Sequence, residues 1–163
     1  MKPISEILVE QTWQECAGFS PVRAQKEMAK VMKNQPQLLG FMMEFTQDLD
    51  REVRELAIYM LYVVCRIFQK GSPKGVKRIP LEEIINCYER NEHLVERLEG
   101  AHERFFERIA SLQFSGQPHV MSYVVETLFE APEGVDPIRL TEHDTGYLFL
   151  VFKTVIDLLD KNA

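Results

Sequence analysis

Glu99 and His102 stand three residues apart, the spacing with which helical bundles present a carboxylate and an imidazole to a metal ion. Glu92, His93, Glu96 and Glu103 lie close by in sequence. Di-metal bundles need two such motifs and further carboxylates on facing helices, and only one motif is present here. Metal binding at Glu99 and His102, in a small bundle or enzyme, therefore stands as an alternative, and no cofactor is expected. A second cluster is basic. Lys70, Lys74, Lys77 and Arg78, with Arg66 just before them, put five positive charges into 13 residues without one acidic residue. Such a loop has the chemistry to hold a phosphate or an acidic partner.

A third set is mixed. Glu55, Tyr59, Tyr62, Arg66 and Gln69 recur at spacings of four, three, four and three, so they share one face of a helix that is otherwise apolar. Tyrosine and arginine are enriched at binding hot spots, so this stripe is a candidate contact for a protein partner. At a shift of 91 the last helical segment places Leu150, Lys153, Asp157 and Asp160 at the matching positions, and Lys153 and Asp157 join the candidate contact. Motifs for catalysis are missing: no GxSxG, phosphate-loop glycine pattern, HExxH or dinucleotide fingerprint occurs. The expectation leans away from an enzyme.

Charge and cysteine content limit the classes further. Nineteen Lys and Arg against 25 Asp and Glu leave a net charge of -6 in 163 residues. No spread of basic residues along several helices exists to track a phosphate backbone, so nucleic-acid binding would rest on loop 70–78 alone. Cys16, Cys65 and Cys87 are far apart and sit in helical patterns, which suits a reducing cytoplasm rather than a disulfide framework. The uncharged run from Leu56 to Cys65 is half the length needed to span a bilayer and reads as a buried helix.

The elements that must position these residues are helices. Apolar spacing is helical nearly everywhere, and Pro and Gly fall between the periodic segments. The spacing predicts an all-α single domain. Its helices cover about Ile4 to Ala17, a segment capped by Ser20 and opened by Pro21, Pro36 to Gln47, and a central helix from the Asp48 to Asp50 turn to Gln69. After a loop, a long segment over 81–112 runs as one helix or breaks at Gly100. Two more follow, from Gln117-Pro118 to Glu130 and from the Thr141 cap to Lys161.

The second half echoes the first. Gln35-Pro36-Gln37-Leu38-Leu39-Gly40-Phe41-Met42-Met43-Glu44 aligns without a gap on Gln117-Pro118-His119-Val120-Met121-Ser122-Tyr123-Val124-Val125-Glu126 at a shift of 82, with three identities and six conservative pairs. Gly18 and Gly100 fall at the same shift, and Pro3 to Leu8 resembles Pro80 to Ile85 at a shift of 77. The chain thus reads as an internal repeat of 1–78 and 79–163 made of helical hairpins.

Residues 36–69 resemble a HEAT repeat: Pro36 opens a Leu-rich helix, an Asp-containing turn follows at Asp48 to Asp50, and then come Val53-Arg54 and the small Ala57. The later hairpins depart from that pattern, since Pro132 to Pro137 follow Glu126 and no Val-Arg pair appears. The resemblance implies either a HEAT-like right-handed stack or a compact multi-helix bundle. In HEAT-like stacks the second helix of each hairpin lines the concave face, which would place Tyr59, Tyr62 and Arg66 where a partner docks. The functional expectation is a non-catalytic adaptor or scaffold that binds a protein, with homodimerisation through apolar helix faces left open.

Overall fold

The computed structural model describes residues 1–98, 116–129 and 140–163, which form seven helices and no strand. In chain order these are α1 (Glu6–Ala17), α2 (Pro21–Lys33), α3 (Pro36–Phe45), α4 (Arg51–Gly71), α5 (Leu81–Leu98), α6 (Pro118–Phe129) and α7 (Glu142–Lys161). The fold is all-α. Whether the long helix continues beyond Leu98 concerns residues outside those described.

Helix starts follow from side-chain capping. Ser5, Ser20 and Thr141 accept hydrogen bonds from the backbone N–H groups of Leu8, Arg23 and Asp144 at 3.2, 3.2 and 3.0 Å, satisfying donors that have no partner within the helix. Thr141 N–H donates in return to the Asp144 carboxylate, which completes a capping box. Asp50 occupies the cap position of α4, but its side chain makes no capping bond, so it contributes only charge near the positive helix end. Helix α4 continues to Gly71, two residues past the expected end, and Lys70 belongs to its last turn. At Gly71 the Ile4 side chain comes so close that an added Cβ would lie 2.8 Å from it.

Helix α4 is the hub. It packs against α1, α2, α3, α6 and α7, and from Met60 to Cys65 six successive residues are buried. Each large apolar side chain sealed there contributes roughly 2 kcal/mol. The uncharged run from Leu56 to Cys65 lies in this helix, and no helix among the described residues is long and apolar enough to cross a membrane. The contact of α1 with α6 joins distant parts of the chain into a compact bundle; in an open stack each hairpin would touch only its sequence neighbours.

The packing has a matched layout. Helix α1 lies on α4 as α5 lies on α7, and α3 lies on α4 as α6 lies on α7. Two buried glutamines make the same pair of bonds. Gln35 Nε2 donates to the Lys77 carbonyl at 2.9 Å and its Oε1 accepts from Ile79 N–H at 3.1 Å. Gln117 Nε2 donates to the Lys2 carbonyl at 3.2 Å and its Oε1 accepts from Ile4 N–H at 2.8 Å. Each glutamine thereby holds the lead-in to the first helix of the other half. Ile4 corresponds to Ile79, which puts α1 and α5 in register at a shift of 75 rather than 77. Val9, Thr12 and Cys16 then match Ile84, Cys87 and Asn91, and all six are buried. Helices α4 and α7 match at 91, where Met60, Leu61, Ile67 and Phe68 pair with Val151, Phe152, Leu158 and Leu159, again all buried.

Replacing Gln35 by Leu strands a buried N–H and a carbonyl, which costs about 3 kcal/mol and lowers the melting temperature by roughly 6 to 12 °C. Gln37→Leu, at an exposed position of α3, stays within about 0.5 kcal/mol. Calorimetry on both variants checks this, and equal melting temperatures would show that the clamp is dispensable.

Candidate functional site

The stripe on α4 is not a continuous open face. Glu55 is exposed and pairs with Arg51 at 3.0 Å. Tyr59 is half-buried, with its ring 6.3 Å from that of Tyr62. Tyr62 is fully buried; its hydroxyl has no hydrogen-bond partner among the described residues and sits beside the Cys16 thiol. Burial pushes the titration of both groups up. Arg66 reaches Glu15 of α1 at 2.7 Å and Glu27 of α2 at 3.5 Å, and its guanidinium lies 5.8 Å from the Phe19 ring. The expected docking face is therefore divided. Glu55 and Tyr59 keep access to solvent, whereas Tyr62 and Arg66 close the seam between α4 and the α1–α2 hairpin.

The basic cluster divides as well. Lys70 Nζ bonds Glu15 at 2.5 Å, joining the same seam, and only Lys74, Lys77 and Arg78 stand exposed in the loop. The hydrogen bonds from Lys70 and then Arg66 hold the Glu15 carboxyl at about 2, well below its ordinary 4.5.

At the matching place in the other half the chemistry differs. Lys153 of α7, 5% exposed, takes the position of Tyr62. Its ammonium donates to Asp157 Oδ2 at 2.6 Å and to Asn91 Oδ1 at 3.2 Å. The Asn91 amide donates to Thr154 Oγ1 at 3.1 Å and to Asp157 Oδ2 at 3.2 Å. The Cys87 thiol, pushed up by burial, points to the Thr154 carbonyl at 3.9 Å. Lys153 and Asp157 were expected on an open face; Lys153 instead lies inside the α5–α7 seam, and Asp157 is its half-buried partner. A cavity of about 550 Å³ opens on this network, with Cys87, Asn91 and Asp157 against it and Arg90, His93 and Lys161 at its sides. A second cavity of about 650 Å³ shares Arg90, His93 and Lys161 and continues along α5 past Glu89, Asn86 and Glu82. Nothing in the linear pattern links Asn91 to Lys153, 62 residues away.

Glu99 and His102 lie outside the described residues. Among the described residues no group of three metal-ligating side chains comes together. No protein family model, curated protein or solved structure matches this chain.

Two measurements test these seams. The stabilisation that Glu15 supplies is complete above its ordinary value of 4.5 and disappears as pH falls toward 2, because its folded-state value is depressed. Thermal melts of the protein and of Glu15→Gln should differ at neutral pH and converge across that acidic window. In the other seam, Asp157→Ala leaves the buried Lys153 ammonium without its counter-ion and costs about 3 kcal/mol, whereas Lys153→Met frees the half-exposed Asp157 to hydrate and costs under about 1 kcal/mol. Urea unfolding reads the asymmetry, and equal losses would mean that the pair behaves as an ordinary surface bridge.

Proposed function

We propose that this protein is a non-catalytic binding module that receives an extended segment of a protein partner in the groove along α5 and α7. The observation that carries the reading is the buried Lys153–Asn91–Asp157 network at the edge of a cavity, in a position that the other half fills with Tyr62 and Cys16. Asp157, held through Oδ2 by the buried ammonium and by the Asn91 amide, keeps Oδ1 as a fixed acceptor at the cavity, which is what orients a bound chain. The groove's length favours a peptide segment. Its two cavities share three residues and follow α5 from Pro80 to Leu94, about 20 Å of helix at 1.5 Å per residue.

The matched packing of the halves and the Gln-Pro identity support an internal duplication, and the resemblance of residues 36–69 to a HEAT hairpin supports descent from a hairpin of that kind. On this reading one copy kept a sealed seam and the other acquired the recognition groove. A cytoplasmic setting agrees with three buried free thiols.

A photo-crosslinking amino acid in place of Asn86, inside the groove, should trap a discrete partner polypeptide in growing cells of the source organism. The same group in place of the exposed Val22 on α2 should not, and Arg90→Glu should abolish the product. Equal labelling at 86 and 22, or none at 86, would remove this function.

A further inference from the structure

We infer that a pocket between the end of α4, the turn at Asn34 and Gln35, and loop 72–80 is a binding site for a small organic carboxylate with an apolar body. The cavity measures about 400 Å³, within the range of small-ligand sites. Its polar lining consists of Asn34, Gln35, Gln69 and Arg78, and no carboxylate lines it. Gln35 is 3% exposed and spends one amide N–H and its oxygen on the clamp to loop 77–79, which leaves its second N–H uncommitted. The side-chain amides of Asn34 and Gln69 form no hydrogen bond, and Arg78 forms no ion pair, among the described residues. Cys65 and Leu159 provide an apolar wall, and the exposed Lys33, Lys74 and Lys77 add positive charge nearby. The loop owes its path to Gly75, whose φ of 74° suits glycine, and to Ser72, whose hydroxyl donates to the Gly75 carbonyl at 3.0 Å.

The molecule itself indicates which group belongs there. Gln117 is the counterpart of Gln35, and Asp160 on α7 is the counterpart of Gln69 on α4. Gln117 Nε2 donates to Asp160 Oδ1 at 2.8 Å, so in that half the amide of the clamp is met by a carboxylate from the neighbouring helix. Gly116 stands where the first half has Asn34, and an added Cβ there would come within 2.8 Å of Asp160, so the locus is filled. In the first half a neutral amide replaces the aspartate, the space stays open, and Arg78 supplies a guanidinium that has no ion pair among the described residues. Asp160 also lies 3.6 Å from the Met1 ammonium, so in that half an amide and a cation meet a carboxylate, whereas the first half offers an amide and the Arg78 guanidinium without one. The site is separate from the α5–α7 groove and does not depend on the function assigned to it.

Side-chain NMR signals of Gln35, Gln69 and Arg78 provide the test, followed during titration with hexanoate and, in parallel, with hexanamide and inorganic phosphate. Hexanoate should give saturable shifts and hexanamide none, and phosphate should bind at least about tenfold more weakly than hexanoate. Arg78→Ala, an exposed change, should weaken hexanoate by about tenfold or more, the loss of one charge-assisted hydrogen bond. Gln69→Asp should restore the internal carboxylate, abolish hexanoate binding and raise the melting temperature. Absent hexanoate shifts, or shifts that survive both substitutions, would overturn the proposal. Phosphate binding as tightly as hexanoate would overturn the carboxylate assignment.

Discussion

A backbone segment that runs into a helix from outside carries N–H and C=O groups that no helical turn can satisfy, and when such a segment is buried something else must bond it. Here that work falls to two carboxamides. Gln35 and Gln117 each bond a carbonyl and, two residues further along, the N–H of the one buried residue of a lead-in, Ile79 or Ile4, and each acts across the boundary between the halves. A proline follows each glutamine and bars it from the helical region, so both side chains sit at the point where the chain turns into α3 or α6. The consequence is mutual dependence: the first helix of each half is set in place by the other half. These four hydrogen bonds fix the lead-ins to α1 and α5, and the buried contacts of α1 with α4 and of α5 with α7 complete the register.

On that shared framework the two seams solve the same packing problem with different chemistry. One is closed by a tyrosine ring and a thiol, with Arg66 drawn to two carboxylates from α1 and α2. The other buries an ammonium, an amide and a hydroxyl. Removing a charged amine from water costs several kcal/mol, and its bonds to Asp157 and Asn91 only offset that cost. At the matching position of α4 the bundle buries Tyr62 instead, so the layout of the fold does not by itself call for a charge there. A network that is rigid, polar and adjacent to a cavity is better explained by what it orients than by what it stabilises.

Much of the architecture was legible in the sequence because helices announce themselves through periodicity and caps. Ser20, Pro21 and Thr141 marked true starts, and the Gln-Pro pair shared by the halves marked the structurally equivalent helices α3 and α6. The pairing of α1 with α5 was off by two residues because prolines were aligned on prolines. Pro3 lies outside α1 whereas Pro80 sits at the start of α5, and the buried isoleucines set the register instead. Neither pocket was legible. Asn34, Gln69 and Arg78 come from three elements, and Asn91 and Lys153 are 62 residues apart; only the closed bundle brings them together.

The divided stripe on α4 shows why polarity along a helix does not by itself identify a surface. A heptad-like row of polar residues says that the row avoids an apolar neighbour, and water satisfies that condition no better than a neighbouring helix of opposite charge. Arg66 and Lys70 meet such a neighbour in Glu15, one carboxylate on α1 that bonds both cations. Tyr62 needs less still, since its ring supplies most of its burial energy and its hydroxyl can be left beside a thiol at modest cost. Whether a polar stripe faces solvent is therefore decided by charges carried on other helices. For α4 those charges lie on α1 and α2, and at the matching stretch of α7 the partner lies on α5, where Asn91 stands in the place of Cys16 and leaves Asp157 to neutralise Lys153 from within its own helix.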